Sequence, residues 1–234
     1  MLPLVRQLFP ISVDDVDPLA CYRGDERVGD PWVLINMIAT VDGATAVGGR
    51  SAELGGPADK KVFAAIRSVA DVIFVGAGTV RAENYGPPSV PARLAIVSAK
   101  LDLAPDARVF SNGYRPVIVT TEDADATRRA ALEKVADVII AGTGRVDPRA
   151  ALRNFSGVVV CEGGPSLNGQ LLADGLVDEL CLSLAPLLAS GESARIAHGP
   201  EPKTPVRMHL NRILEEDEIL FFRYLSDASE PSPS

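Results

Sequence analysis

The sequence predicts an α/β fold of three layers, in which a mixed but mostly parallel sheet is flanked by helices. Short apolar runs rich in valine and isoleucine alternate with helical segments, which is typical of parallel strands covered on both faces. Residues 69–73 and 135–139 both read Val-Ala-Asp-Val-Ile and both lead to Gly-x-Gly. We interpret this echo as α/β units reusing one turn chemistry, rather than as a duplication. The C-terminal region predicts an antiparallel hairpin, which makes the sheet mixed.

The elements divide the chain into a lead-in at 1–30 with one short helix, a domain at 31–225 and a disordered polar tail at 226–234. Short β-branched runs predict strands at residues 32–37, 72–75, 93–97, 116–119, 138–140, 158–161 and 180–184. Apolar residues recurring on one face predict helices at 57–69, 122–135 and 165–175. The hairpin strands are 206–210 and 219–225, around an acidic turn at 215–218.

Composition narrows the class of protein. The net charge of −8 argues against sequence-independent binding to nucleic acid, although local arginines can still hold small phosphorylated molecules. The three cysteines lie far apart and the chain has only two histidines, so we expect neither disulfides nor a metal site. A reducing cytoplasm is the expected compartment, because the chain shows no signal peptide and no apolar run of about 20 residues.

The most informative segment is the strand at 158–161 and the four residues that follow it. Glu162 is followed by Gly163 and Gly164, and Pro165 then opens an amphipathic helix. Two glycines allow a ligand to approach the backbone closely, in front of a helix N-terminus whose N–H groups are unpaired. This arrangement predicts an anion site at the carboxyl end of the sheet, of the kind that holds a phosphate-bearing cofactor.

Two other turns carry candidate site residues. Gly76-Ala77-Gly78-Thr79 follows a strand, but Arg81 stands where a dinucleotide fingerprint needs glycine, so a plain turn and a phosphate contact through Thr79 both stay open. Asp42 precedes a glycine, which indicates either a solvated turn or a carboxylate at the edge of a cleft. Glu162 has the same ambiguity, and would donate a proton only if burial raised its pKa.

Three elements, in this order, resemble one known family. Residues 40–43 are similar to its Ser-Leu-Asp-Gly element, and residues 66–80 to its Leu-Arg-Ala…Asp-Ala-Ile…Gly-x-Gly-Thr-Val element. Residues 162–180 are similar to its Glu-Gly-Gly-Pro…Leu-Val-Asp-Glu-Leu element. Over about residues 32–225, the chain therefore resembles the reductase domain of the riboflavin-biosynthesis deaminase/reductases.

This resemblance implies a dihydrofolate-reductase-like fold, a homodimer, and NADPH-dependent reduction of 5-amino-6-(5-phosphoribosylamino)uracil to its ribitylamino product. The deaminase motifs are absent, so deamination is expected on a separate chain. The cofactor would contact Ser98 and the run 164–170, with its pyrophosphate over the two glycines. The implied cofactor residues are Thr79, Glu83, Ser98, Gly163, Gly164, Pro165, Ser166 and Leu167. Lys100 or Arg81 is the candidate for the 2′-phosphate.

The resemblance also implies that Ser51, Arg67 and Glu162 bind the phosphorylated pyrimidine, with Arg67 on its phosphate. Asp42 would line the same cleft, and Asp42 and Glu162 are the implied catalytic residues. The family carries an arginine in its substrate loop, for which only Arg93 is available in the altered segment 83–93. That alteration keeps two alternatives open: a same-fold reductase acting on dihydrofolate or another imine or carbonyl, and a non-catalytic NADPH-binding protein.

Overall fold

The structure is a computed structural model that describes residues 5–227, within which ten strands pair into one sheet. The strands are β1 (Arg6–Phe9), β2 (Trp32–Thr40), β3 (Val72–Gly76), β4 (Arg93–Val97), β5 (Val117–Thr120), β6 (Asp137–Ile140), β7 (Val158–Cys161), β8 (Glu179–Ala185), β9 (Met208–Glu216) and β10 (Ile219–Ser226). The helices are α1 (Pro18–Arg23), α2 (Pro57–Arg67), α3 (Ala77–Ala82), α4 (Ala126–Leu132), α5 (Pro148–Leu152) and α6 (Pro165–Ala173), and a short 3₁₀ segment covers Arg108–Gly113.

The order of strands across the sheet is β1-β9-β10-β8-β2-β7-β3-β4-β5-β6. Strands from β8 to β6 in this order are mutually parallel, whereas β10, β9 and β1 add antiparallel pairs at one edge. The mixed, mostly parallel sheet with a C-terminal antiparallel hairpin is therefore confirmed. All seven parallel strands end at the same edge, where the loops after β2, β3, β4 and β7 meet.

Helices cover both faces of the parallel part, which gives the predicted three layers. On one face, α5 and α6 pack against alternate residues of the central strands, such as Phe74 and Val159. On the other face, α1 and α2 pack around Trp32, and α3 and α4 pack around Ile73 and Ile96. The central strands are buried on both sides, which explains their continuous apolar sequences.

The structure differs from the predicted elements in several places. The lead-in contributes β1, a mostly exposed edge strand without the apolar run that predicts strands. α4 is shorter than the predicted 122–135 because the Asp125 carboxylate accepts the Arg128 N–H at 2.8 Å and begins the helix there. α5 was not predicted. The predicted tail largely falls outside the described residues, although Ser226 belongs to β10.

The acidic turn at 215–218 is only partly a turn. Asp217 and Glu218 form it with positive φ angles, as a two-residue hairpin turn requires. Glu216 instead lies in β9 with its side chain buried, and accepts hydrogen bonds from Lys61 at 2.7 and 2.9 Å. Glu216, which the sequence assigned to the acidic turn, therefore links the hairpin to α2.

Buried charges join the lead-in to the sheet. The fully buried Glu179 accepts hydrogen bonds from Arg223 Nε at 2.7 Å, Trp32 Nε1 at 2.9 Å and Arg27 Nε at 3.2 Å. Asp25 pairs with Arg212 at 2.8 Å and with Arg223 at 3.2 Å. Burial alone would raise the pKa of Glu179, but hydrogen bonds and charge from Arg223 and Arg27 lower it below its usual value.

Candidate active site

A cleft of about 970 Å³ opens at the carboxyl edge of the parallel strands. It is lined by Asn36 and Met37 of β2, Gly76 of β3, Val97 of β4 and Glu162 directly after β7. This is where an open parallel sheet binds ligands, and the volume is at the upper end for small-molecule sites. The sheet therefore places the two glycine turns predicted from the sequence, at residues 76–79 and 162–165, around one cavity.

The two glycines after β7 lie directly on the end of β3. Gly163 has a φ of +82°, its peptide bond to Gly164 is cis, and its carbonyl oxygen accepts the Gly76 N–H at 2.7 Å. A Cβ atom on Gly164 would lie 3.0 Å from Thr79 Oγ1. Gly164 is also the N-cap of α6 and offers that helix no side-chain cap. The first turn of α6 thus faces the cleft without an obstructing side chain.

Most predicted cofactor residues line this cleft. Thr79, Glu83 and Ser98 do so together with the α6 residues, whereas Gly163 lies behind the lining and contributes through its backbone. Thr79 lies inside α3, whose N-cap is Gly76. Glu83 accepts hydrogen bonds from the Ser51 N–H at 2.7 Å and from the Ser51 hydroxyl at 2.9 Å. The implied cofactor residue Glu83 and the implied substrate residue Ser51 are therefore joined.

Arg67 and Glu162 form a two-bond ion pair inside the cleft. Arg67 Nε donates to Glu162 Oε1 at 2.6 Å, and Arg67 Nη2 donates to Oε2 at 2.7 Å. The guanidinium lies 4.4 Å from the centroid of the Phe63 ring. Burial alone would lower the pKa of Arg67, but the hydrogen bond and charge of Glu162 raise it. Two of the N–H groups of Arg67 are thus bonded to Glu162, and only the remaining N–H groups are available to a ligand.

Tyr85 completes this group, although sequence reasoning did not select it. Its hydroxyl donates to Glu162 Oε2 at 2.6 Å, and burial together with the charge of Glu162 raises the pKa of Tyr85 well above its usual value. Tyr85 belongs to the altered segment 83–93. That segment therefore supplies a phenol to the site, at a position where the expected arginine is missing.

Two predicted site residues lie outside the cleft. Asp42 is exposed, and its carboxylate accepts the Ser190 N–H at 2.7 Å and the Ala189 N–H at 3.2 Å. A side-chain bond from Thr40, followed by these backbone bonds, lowers the pKa of Asp42 to about 2. Asp42 therefore anchors the loop around residue 189, which corrects its expected place in the cleft and agrees with the turn interpretation.

Arg93 is also corrected. It is the first residue of β4, whereas the cleft lies at the carboxyl ends of the strands. Its guanidinium lies 3.7 Å from Asp137, at the first residue of β6. The whole length of β4 separates Arg93 from the site, so it does not replace the missing arginine.

The cleft is positively charged although the chain is acidic. Six cationic and four anionic side chains line it: Lys60, Arg67, Arg81, Lys100, Arg108 and Arg145, and Asp59, Glu83, Asp102 and Glu162. Arg81 is paired with Asp102 at 3.4 Å. Within residues 5–227, the side chains of Lys100 and Arg145 make no hydrogen bond or ion pair. Cationic side chains that lack a partner and lie together in one cavity favour an anionic ligand.

None of the helices between residues 5 and 227 has both the length and the apolar character that a membrane span requires. Over the same range, no group of three or more His, Cys, Asp or Glu side chains is arranged to hold a metal ion.

The family model described as the RibD C-terminal domain matches residues 31–220. The chain belongs to the RibD C-terminal domain family. A relative in this family, from Methanothermobacter thermautotrophicus, is the 2,5-diamino-6-ribosylamino-4(3H)-pyrimidinone 5′-phosphate reductase. It is 32% identical over 211 residues, which cover 83% of this chain and 97% of the relative. The chain is accordingly an oxidoreductase of the pyrimidine reductase family.

Solved structures show the same fold. A pyrimidine reductase-like protein from Corynebacterium diphtheriae superposes with a TM-score of 0.78 at 24% identity, over 90% of this chain and 99% of that one. Dihydrofolate reductase from Enterococcus faecalis superposes with a TM-score of 0.51 at 12% identity, over 84% and 96% of the two chains. The dihydrofolate-reductase-like fold implied by the sequence is confirmed.

Proposed function

We propose that this protein uses NADPH to reduce a 5-phosphoribosylaminopyrimidine to its ribitylamino product in riboflavin biosynthesis. The observation that carries the proposal is one cationic cleft that holds both an open helix N-terminus beside a glycine pair and the Arg67–Glu162–Tyr85 group. The first feature suits a dinucleotide pyrophosphate, and the second suits a polar substrate. Hydride transfer requires these two ligands side by side, held against each other in a cavity from which water is excluded.

The residues present fit NADPH. Gly164 and the first turn of α6 would hold the pyrophosphate, because an added Cβ would meet Thr79 and occupy the space beside the helix. Ser98, at the end of β4, would meet the adenosine. Lys100 and Arg145 are free to hold the 2′-phosphate, whereas Arg81 is neutralised by Asp102. Bound in this position, NADPH supplies the hydride.

The residues of the other half of the cleft would orient the substrate. Phe63 offers an apolar wall for the pyrimidine ring, and Arg67 keeps N–H groups for the ribose phosphate while it fixes Glu162. Glu162 accepts hydrogen bonds on both oxygens, so its role is that of an anion that orients donors. Ser51 and Glu83 line the same cleft and are joined by hydrogen bonds, so Ser51 would contact the substrate beside the proposed cofactor residue Glu83.

Two pyrimidines are candidate substrates. The sequence resemblance favours 5-amino-6-(5-phosphoribosylamino)uracil. The second candidate is the 2,5-diaminopyrimidinone, because the Methanothermobacter relative that spans nearly the same length is named for it. The two rings differ at position 2, where one has an oxygen and the other has an amino group.

We further infer that the protein is a homodimer, with the outer face of β8, β9 and β10 as the interface. Within the described chain, a row of partly buried apolar side chains on this face belongs to none of the hydrophobic cores: Leu182, Leu184, Ile213, Leu220, Phe222 and Tyr224. Phe222 and Tyr224 stack at 5.9 Å between ring centroids. A contiguous apolar face of this kind typically marks a protein interface.

The experiment is oxidation of NADPH by the purified protein with each of the two phosphoribosylaminopyrimidines and, in parallel, with dihydrofolate. Turnover of either pyrimidine, without turnover of dihydrofolate, would support the proposal. Turnover of dihydrofolate alone would replace the substrate and keep the cofactor. NADPH binding without any turnover would favour a non-catalytic binding protein, and absence of NADPH binding would overturn the proposal.

A further inference from the structure

Asp59 lies in the cleft, and none of the roles described above uses it. It is the third residue of α2, and its side chain is partly buried where it lines the cleft. Its carboxylate receives a hydrogen bond from Ser183 of β8, and it makes no ion pair within residues 5–227. Burial raises the pKa of Asp59, and the Ser183 bond and Lys60 only partly oppose this.

The position of Asp59 along α2 relates it to Phe63 and Arg67, which we propose to contact the substrate. Asp59, Phe63 and Arg67 follow each other at intervals of four residues, so they form one stripe on α2, and all three line the cleft. The two ends of the stripe are about 12 Å apart along the helix axis, at 1.5 Å per residue. The stripe therefore offers an acceptor at one end, an aromatic surface in the middle and a cation at the other.

A carboxylate has acceptor capacity for about four hydrogen bonds, and Asp59 uses little of it. The position of a partly buried carboxylate without an ion-pair partner is unfavourable unless further donors arrive with a ligand. Gly55 leaves room for this carboxylate, since a Cβ atom on Gly55 would lie 2.5 Å from Asp59 Oδ2. The backbone and the carboxylate thus form a fitted acceptor surface with its hydrogen bonds still to be made.

We propose that Asp59 reads position 2 of the pyrimidine ring and selects the 2-amino-4(3H)-pyrimidinone over the uracil. This inference rests on the proposed function of the same cleft. The aminopyrimidinone presents its N3–H and its 2-amino N–H side by side, which matches the two oxygens of a carboxylate. The uracil has an oxygen in place of the amino group, so one carboxylate oxygen of Asp59 would face an acceptor and stay unpaired. A site built to accept from an amino group rejects the analogue that lacks it.

The test is the ratio of kcat/KM for the two pyrimidines in the wild type and in Asp59→Asn. An asparagine amide presents one acceptor and one donor, which matches the N3–H and the 2-oxygen of the uracil. We expect the wild type to prefer the aminopyrimidinone by about 100-fold, and the variant to lose or reverse that preference. Equal use of both rings by the wild type, or an unchanged ratio in Asp59→Asn, would overturn the inference.

Two further variants separate ring reading from general damage. Gly55→Ala keeps the charge but displaces the carboxylate, and we expect it to lower the ratio as well. Glu53→Gln removes a nearby exposed carboxylate outside the cleft and should leave the ratio unchanged. NADPH affinity is measured on every variant. If the wild type does not bind NADPH or reduces neither pyrimidine, the proposed function itself has failed. Normal turnover with an unchanged ratio contradicts only the inference that Asp59 recognises position 2 of the ring.

Discussion

The backbone N–H of Gly76 donates to the carbonyl oxygen of Gly163 over 2.7 Å, and this bond joins the ends of β3 and β7. It brings α3, which begins after Gly76, beside α6, which begins after Gly164. Thr79 and Gly164 consequently face each other in the cleft. Two motifs more than 80 residues apart in the sequence thus build one surface of the cleft, where we propose that the cofactor binds.

Substituting Gly164 tests this surface. In Gly164→Val, the new side chain meets Thr79 Oγ1 and obstructs the first turn of α6, so we expect the Kd for NADPH to rise by about tenfold or more. Fluorescence titration measures it. Gly56→Ala is the matched control, because a Cβ there has no atom within 4 Å and Gly56 does not line the cleft. Unchanged affinity in Gly164→Val would contradict the placement of the cofactor.

Removing Arg67 leaves the buried Glu162 without its cation. We expect Arg67→Ala to lower the free energy of unfolding by about 3 kcal/mol, measured by urea denaturation. In the fraction that folds, the KM for the phosphorylated pyrimidine should rise far more than the Kd for NADPH. If the two constants moved together, Arg67 would have no specific place on the substrate.

Tyr85 is tested by Tyr85→Phe, which removes one hydroxyl and keeps the ring. The loss of a charge-assisted hydrogen bond to Glu162 should lower kcat/KM by about tenfold. The Kd for NADPH should stay within about twofold, since Tyr85 touches the substrate side. A general loss of folding would instead lower kcat/KM and also weaken NADPH binding. Steady-state kinetics together with titration distinguish the two outcomes.

The buried Glu179 makes stability depend on pH. Its pKa is lower in the folded state than its usual value of 4.5, so its stabilising contribution is present above that value and is lost as the pH falls through the folded-state pKa. We expect the free energy of unfolding to decline below about pH 4.5, and Glu179→Gln to be less stable at neutral pH with a smaller decline. Urea denaturation across this range checks the sign, and a variant with the same acid sensitivity as the wild type would contradict it.

The apolar face predicts the oligomer. Phe222→Lys places a charge in the row that includes Leu182 and Tyr224, and we expect it to convert the dimer to a monomer that still binds NADPH. Light scattering after gel filtration measures the mass. A wild type that is monomeric at micromolar concentration would remove the proposed interface.

The parallel sheet and the glycine turns at its carboxyl edge could be predicted because both depend on local sequence patterns. Thr79, Glu83, Ser98 and Gly164 meet in the structure since each follows a strand whose carboxyl end reaches the same edge. Arg93 could have been excluded by the same rule, because it begins its strand and therefore lies at the opposite edge.

Other site residues have no comparable signal. Asp59 reads as an acid in the first turn of a helix, where the helix dipole favours one anyway, and only the position of β8 shows that it faces a cavity. Tyr85 follows a short helix in an irregular segment, so its direction depends on how that segment packs against Glu162. For Asp42 the sequence motif implied a place in the cleft, but the structure shows its carboxylate accepting the Ala189 N–H of a loop instead.

The family match begins at residue 31, but the folded unit begins earlier. Arg27 and Asp25 lie upstream of that boundary, and they supply charge partners for Glu179, Arg212 and Arg223 inside the sheet. A chain cut at the boundary of sequence similarity would leave Arg212 without its carboxylate partner Asp25, and Glu179 would keep only Arg223 as a cationic partner among the described residues. A shortened chain made for expression or crystallisation should therefore keep Asp25 and Arg27, which lie before the start of the family match.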